Sequence, residues 1–119
     1  MLIVEDEQPI REGYKEIFNR ADFEVVTAEN GLIAIEKLHS GTFDIMLLDL
    51  MMPELDGLGT LDKMLEDGDK YKEMPIIVLT ALGSDSVIKK AFEKGANGYL
   101  IKTEFNPDEI LLEVMSYLE

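Results

Sequence analysis

Four short apolar runs in this chain each end in a residue able to do chemistry. Leu2-Ile3-Val4 is followed by Glu5-Asp6, Ile45–Leu48 by Asp49, Ile76–Leu79 by Thr80, and Tyr99–Ile101 by Lys102. If the runs are neighbouring strands, about 4.7–4.9 Å apart, their terminal side chains meet in one small pocket. Three carboxylates held that close repel one another and raise one another's pKa. A hard divalent cation resolves the conflict, and Mg²⁺ suits one or two carboxylates with waters left for a phosphate. With Lys102 and Thr80 alongside, the set can neutralise the oxygens of a transferring phosphoryl group. A carboxylate in the middle is then a competent nucleophile that would give an acyl phosphate. Taken singly, each residue has an ordinary reading: a strand-end acid caps a loop, a threonine sits in a turn, a lysine is solvated. The coincidence of four such ends carries the functional reading.

The elements that must position these groups are legible in the hydrophobic pattern. Besides the four runs, Phe23–Ala28 reads as a strand, and amphipathic stretches near 8–20, 31–40, 57–67, 84–94 and 107–118 read as helices. Ile10, Tyr14, Ile17 and Phe18 share one helical face, as do Ile110, Leu111, Val114 and Leu118. Asn106-Pro107 supplies an N-cap followed by proline at the first helical position, and Gly41 and Gly95 stand where helices should stop. Strand alternating with helix five times predicts an α/β fold, a five-stranded parallel sheet flanked by five helices. Glu24 and Thr27 make the second strand polar enough for an edge, whereas Ile45-Met46-Leu47-Leu48 reads as central. Right-handed crossovers then give the doubly wound order 2-1-3-4-5, which is also a standard example of that fold class. In such sheets the functional crevice lies at the carboxyl ends of the strands.

The quoted segments resemble a known family. Leu2–Glu7 (LIVEDE), Leu47–Gly57 (LLDLMMPELDG), Ile76–Ala81 (IIVLTA) and Gly95–Lys102 (GANGYLIK) are similar to bacterial response-regulator receiver domains, in order and over essentially the whole chain. The resemblance implies a flavodoxin-like receiver fold over residues 1–119. It makes Asp49 the phosphoryl acceptor from a sensor histidine kinase or histidine phosphotransfer protein. Asp6 would bind Mg²⁺ (or Mn²⁺) directly, Glu5 through a bound water, and the Met51 backbone carbonyl would be a further ligand. Lys102 would contact the phosphoryl oxygens, and Thr80 would hydrogen-bond one after transfer. Ala81 leaves room beside them, and Pro53 and Gly57 shape the loop after the acceptor strand. Tyr99 matches the family's aromatic switch, coupled to Thr80 and changing the surface of the fourth helix, fifth strand and fifth helix. The implied protein is a cytoplasmic phosphoacceptor rather than a classical enzyme, assisting its own phosphorylation and dephosphorylation. It would act on a downstream protein or fused output domain, with phosphorylation-dependent homodimerisation open to it.

Two departures from the family pattern bear on chemistry. Thr103 follows Lys102 where proline is common, so the peptide is either cis, at a cost of about 2.5–4 kcal/mol, or trans with a rearranged loop. Met51 and Leu82, each two residues after a site residue, are apolar and would restrict the attacking water, favouring a longer-lived phosphoprotein. His39 reads as a solvated residue near a helix end, and Glu66–Lys70 lacks the oxygen spacing of a calcium loop.

Composition narrows the classes. The formal net charge of −14, from 25 acids against 11 Lys and Arg, argues against gripping a phosphate backbone. The absence of cysteine excludes disulfides and thiolate chemistry, and no apolar run approaches the roughly 18 residues of a membrane span. Leu2-Ile3-Val4 opens as a strand already under way, the pattern of a chain short of a few amino-terminal residues. A Mg²⁺-dependent phosphohydrolase would place an acid where Met51 stands and would need a cap. A flavodoxin-like electron carrier would need a Ser/Thr/Gly-rich loop where Glu5-Asp6-Glu7 stands. Ile88 and Gly98 occupy places where one DNA-binding class carries Arg and Asp, which favours stand-alone signalling over a fused transcription regulator.

Overall fold

The short strands of this protein alternate their side chains between two covered faces, and that alternation organises the molecule. A computed structural model describes residues 1–52, 54–81 and 85–118. In chain order the elements are β1 Leu2–Val4, α1 Gln8–Arg20, β2 Val26–Ala28, α2 Gly31–Ser40, β3 Met46–Asp49, α3 Gly57–Leu65, β4 Ile76–Thr80, α4 Asp85–Glu93, β5 Gly98–Ile101 and α5 Pro107–Ser116, with a 3₁₀ turn at Lys102–Glu104 before α5. The sheet is parallel throughout, in the order β2-β1-β3-β4-β5, as the pattern predicted.

Because side chains along a strand alternate with period two, each strand feeds two cores. Leu2 and Val4, Met46 and Leu48, and Ile76 and Val78 pack with Ala34 and Leu38 of α2, Leu61 and Met64 of α3, and Ala91 of α4. Ile3, Leu47, Ile77, Leu79 and Leu100 face the other way, onto Tyr14 and Phe18 of α1 and Ile110 and Val114 of α5. Fully burying such a side chain contributes roughly 1.5–3 kcal/mol, so the two faces together fix the register. A one-residue slip would turn every core residue to the wrong face.

The helix boundaries follow local chemistry. Asn30 caps α2 through Ile33 N–H at 2.9 Å, and Asp56 caps α3 through Gly59 N–H at 2.7 Å. Asn106 and Glu109 form a reciprocal capping box at the start of α5, both bonds 2.9 Å. Gly95, after α4, has φ +110° and so uses the freedom that only glycine has cheaply, whereas Gly41 ends α2 in extended backbone that any residue adopts. The second strand is shorter than its apolar run, beginning at Val26 rather than Phe23. Phe23 instead turns its ring edge onto Phe18 at 5.3 Å, closing the end of α1.

Candidate functional site

Continuing the period-two alternation past the strand ends brings three charged side chains to one place. Glu5 follows Ile3 by two residues, Asp49 follows Leu47, and Lys102 follows Leu100, all on the α1/α5 face. Their meeting is close: Lys102 Nζ lies 2.6 Å from Glu5 Oε1 and 3.0 Å from Asp49 Oδ2. Glu5 is wholly buried and Asp49 is 2% exposed, while Asp6 is half-buried at the rim. One oxygen from each of Glu5, Asp6 and Asp49 falls within 4.8 Å of the others. Asp49 is further fixed by the Met51 backbone N–H, which donates to its Oδ1 at 3.1 Å.

Three carboxylates facing one ammonium leave an excess of negative charge in a buried place. Burial, and after it the neighbouring Asp49, push the Glu5 carboxyl up to about 7 even though Lys102 opposes the shift. Burial pulls the Lys102 ammonium down, but Glu5 and Asp49 outweigh it and its pKa ends above the ordinary value. Glu5 Oε1 is buried, with the Lys102 ammonium 2.6 Å away as its close partner. The all-oxygen donor set and its charge excess fit a hard divalent cation.

The surrounding backbone shapes the cavity. A Cβ added to Gly57 would stand 2.6 Å from both Asp49 O and Leu50 Cα, so the start of α3 packs on the end of β3 at a distance only glycine allows. Thr80 ends β4 and is 3% exposed; it is paired in register with Ile101, which puts it beside the strand that leads to Lys102. By alternation Thr80 shares the parity of Val78 and so faces the α2–α4 side of the sheet, whereas Glu5, Asp49 and Lys102 share the parity of the α1/α5 side. Tyr99 stands outward, 43% exposed, with its ring edge against Phe92 of α4 at 6.2 Å between centroids. The Lys102–Thr103 peptide is trans, and Lys102 enters the cavity from the head of the 3₁₀ turn. Of the two alternatives the trans peptide is the one realised, and it still delivers Lys102 to Asp49.

Met51 keeps its backbone in the site, but its side chain is 71% exposed rather than packed across the cavity. Pro53 and Leu82 lie outside the described residues. His39 is exposed as expected, but not isolated: its Nε2 lies 3.1 Å from Asp67 Oδ2. Two residues near the site carried too weak a sequence signal to single out. Arg11 Nη1 donates to the Glu5 and Asp6 carbonyls at 3.0 and 3.2 Å. Tyr14, legible only as a core-facing residue, is buried close enough to the site for Lys102, Glu5 and Asp49 to act on its hydroxyl, whose pKa is raised chiefly by burial.

Comparison with known proteins agrees with this geometry. The family model described as the response regulator receiver domain matches residues 1–115. The transcriptional regulatory protein SrrA of Staphylococcus aureus is 40% identical over 118 residues, covering 99% of this chain and 47% of that protein. The chain thus spans about half the length of the curated relatives it matches. Among solved structures, the chemotaxis protein CheY4 of Vibrio cholerae superposes with a TM-score of 0.89 at 30% identity, covering 97% of this chain and 94% of the other. The response regulator TrrA of Thermotoga maritima, in complex with Mg²⁺ and BeF, gives 0.81 at 35% identity, covering 97% and 95%. A match across nearly the whole chain, on a fold whose strand ends gather these acids and this lysine, places the protein in the response regulator receiver domain family, the phosphoacceptor module of two-component signalling.

Proposed function

We propose that residues 1–119 form one receiver unit that takes a phosphoryl group onto Asp49 with the help of Mg²⁺. The observation that carries this is the buried Asp49 carboxylate, 3.0 Å from the Lys102 ammonium and within 4.8 Å of carboxylate oxygens of Glu5 and Asp6. Glu5, Asp6, Asp49 and the Met51 carbonyl would hold the ion, with Mn²⁺ an acceptable substitute. Bound there, Mg²⁺ supplies positive charge against the phosphoryl oxygens. The chain's own residues do the rest. Asp49 attacks phosphorus as the bond to the donor breaks, the donor being a phosphohistidine of a sensor kinase or histidine phosphotransfer protein. Lys102, already held between Glu5 and Asp49, meets the phosphoryl oxygens as a compact donor. Thr80 reaches one of them from the end of β4. Hydrolysis of the acyl phosphate at the same site resets the domain.

Output follows from differential contacts. A phosphoryl group on Asp49 draws Thr80 toward it, and Tyr99, now outward against Phe92, turns in to fill the vacated space. The α4–β5–α5 surface then changes its fit to a downstream protein, a fused output domain or a second phosphorylated copy. This is a population shift, and it is only as large as the differential affinity of the two states for the modification. The domain would act in the cytoplasm, where the kinase's phosphohistidine is presented, without contacting nucleic acid or membrane itself; no described helix is long and apolar enough to cross a membrane.

The test is phosphorylation by acetyl phosphate with Mg²⁺ or with EDTA, on wild type and Asp49→Asn, read by intact mass. A single phosphate adduct requiring both Mg²⁺ and Asp49 is expected. Equal labelling of Asp49→Asn, or no adduct and no released phosphate from a folded protein that binds Mg²⁺, would overturn the reading.

A further inference from the structure

Consecutive residues of an extended strand point to opposite sides of the sheet, so Glu5 and Asp6 should not reach the same cavity. They do because the chain bends at Asp6, immediately after β1. What holds the bend is not the usual helix cap: Glu7 is the N-cap of α1, yet its side chain makes no capping hydrogen bond. Arg11 is there instead. One terminal nitrogen of its guanidinium bridges two successive carbonyls, Glu5 O at 3.0 Å and Asp6 O at 3.2 Å. The helix anchors this clamp at its root, since Arg11 N–H donates to Glu7 O at 2.9 Å. With both carbonyls turned toward Arg11, the peptide planes on either side of Asp6 are fixed. The Glu7 amide is also left to donate to Glu5 Oε2 at 3.2 Å.

We propose that Arg11 is a positioning residue for the metal-binding acids: by bridging the Glu5 and Asp6 carbonyls it sets the bend that aims both carboxylates into one cavity. The inference rests on the reading of that cavity as a Mg²⁺ site. Its signature is a sign. Arg11 is a cation beside a cation site, so as a charge alone its removal would tighten Mg²⁺ binding. As a clamp its removal loosens the ligands and weakens binding, and outer partners of metal ligands are typically worth about 10- to 100-fold in affinity.

The experiment is calorimetric titration with MgCl₂ of wild type, Arg11→Ala, Arg11→Met, Arg11→Lys and Lys15→Ala, with amide exchange at Glu7 measured in the metal-free proteins. Arg11→Met keeps the apolar stem and carries the test should alanine fail to fold. Lys15→Ala removes an equal charge one turn along α1. Weakening of about 10- to 100-fold in Arg11→Ala or Arg11→Met is expected, with faster exchange at Glu7, substantial recovery in Arg11→Lys, and no loss in Lys15→Ala. Binding by the folded alanine or methionine variant as tight as wild type, or tighter, overturns the clamp while leaving the metal site standing. Wild type that takes up no Mg²⁺ overturns both.

Discussion

Two clusters at opposite ends of the sheet hold a carboxylate at hydrogen-bond distance from its partners, one buried and one exposed. At the carboxyl ends of the strands, Glu5 and Asp49 hold Lys102 in a buried cavity. At the other end, Asp67 accepts from Tyr71 and meets His39, both at 3.1 Å, on open surface. The distances are alike, yet the titration behaviour is opposite. Burial is the largest influence on Glu5 and raises its pKa, whereas hydrogen bonding to His39 is the largest influence on Asp67 and lowers it. Water decides the difference: a solvated pair has little solvation to lose, while a buried one has given up hydration that its partner only partly replaces. The inner cluster is therefore poised to accept a further cation, and the outer one is already at rest.

Chemistry separates the two most sharply. Lys102→Met should cut the rate of phosphorylation by acetyl phosphate by about 100-fold or more, the usual effect of removing one preorganised group that faces developing charge. His39→Ala should leave the rate unchanged. Single-turnover labelling of the two variants side by side checks this, and equal rates would erase the distinction.

Proton linkage gives the next effect. The Glu5 pKa rises from 4.5 to about 7 on folding, so between those values the folded state holds the proton that the unfolded state has lost. Stability of the metal-free protein should then fall as pH rises through that window, by an amount of order 3 kcal/mol at most. Glu5→Gln should remove the fall, gaining stability at pH 8 and little at pH 4.5. Mg²⁺ should reverse it, because the ion needs the carboxylate that the proton occupies. Urea unfolding across the pH range, with EDTA and then with Mg²⁺, measures both arms; a metal-free protein more stable at pH 8 than at pH 5 would count against this account of Glu5.

The glycines extend the contrast to the backbone. Gly57 is barred from having a Cβ by the end of β3, with Asp49 O and Leu50 Cα each 2.6 Å away from where it would stand. Gly57→Ala should cost about 1–3 kcal/mol through overpacking and should slow phosphorylation as well, because the atoms that must move belong to the Asp49 strand. Gly68, next to Asp67, has open space around it but φ +67°. Gly68→Ala should cost about 1–2 kcal/mol through its left-handed conformation alone, with no effect on phosphoryl uptake. Denaturant midpoints and labelling rates of the two variants separate a contact effect from a conformational one.

The same contrast explains what could be read from the chain. The sheet order was legible from a polar edge strand, an apolar central one and right-handed crossovers, an order that is also standard for this fold class. The meeting of Glu5, Asp49 and Lys102 was legible from the place of each at the end of an apolar run. Asp6 was placed there only as the neighbour of Glu5 at the end of an apolar run; alternation by itself sends it to the wrong side. Family resemblance supplied its part as a direct metal ligand, and the physical cause of its gathering is the Arg11 clamp. A guanidinium that bonds to carbonyls leaves no residue-type signature, since any surface arginine looks the same. The partnership of His39 with Asp67 was hidden for a related reason: 28 positions separate them, on two helix ends that only the finished fold brings together. The trans Lys102–Thr103 peptide was left open in the sequence only by analogy with a proline that Thr103 replaces. Without proline the cost of a cis bond favours trans, and the trans chain runs into the 3₁₀ turn at Lys102–Glu104.

The outer cluster yields the smallest effect, and its smallness is informative. Asp67 has its pKa lowered on folding, so what it contributes to stability is present above the ordinary carboxylate range and is lost as pH falls through its folded value. Because the pair is exposed, solvent and salt screen that contribution. Asp67→Asn should therefore leave the thermal midpoint unmoved within error at pH 7, and any difference should vanish at high salt. Tyr71 supplies an internal check. Burial, with Asp67 next, pushes its phenol up to about 12, so an ultraviolet titration of wild type and Asp67→Asn should show one tyrosine titrating earlier in the variant. If Asp67→Asn instead lowered the midpoint at pH 7 as much as Gly57→Ala does, the surface cluster would be structural cement rather than a solvated contact. Burial could not then be what distinguishes the two ends of the sheet.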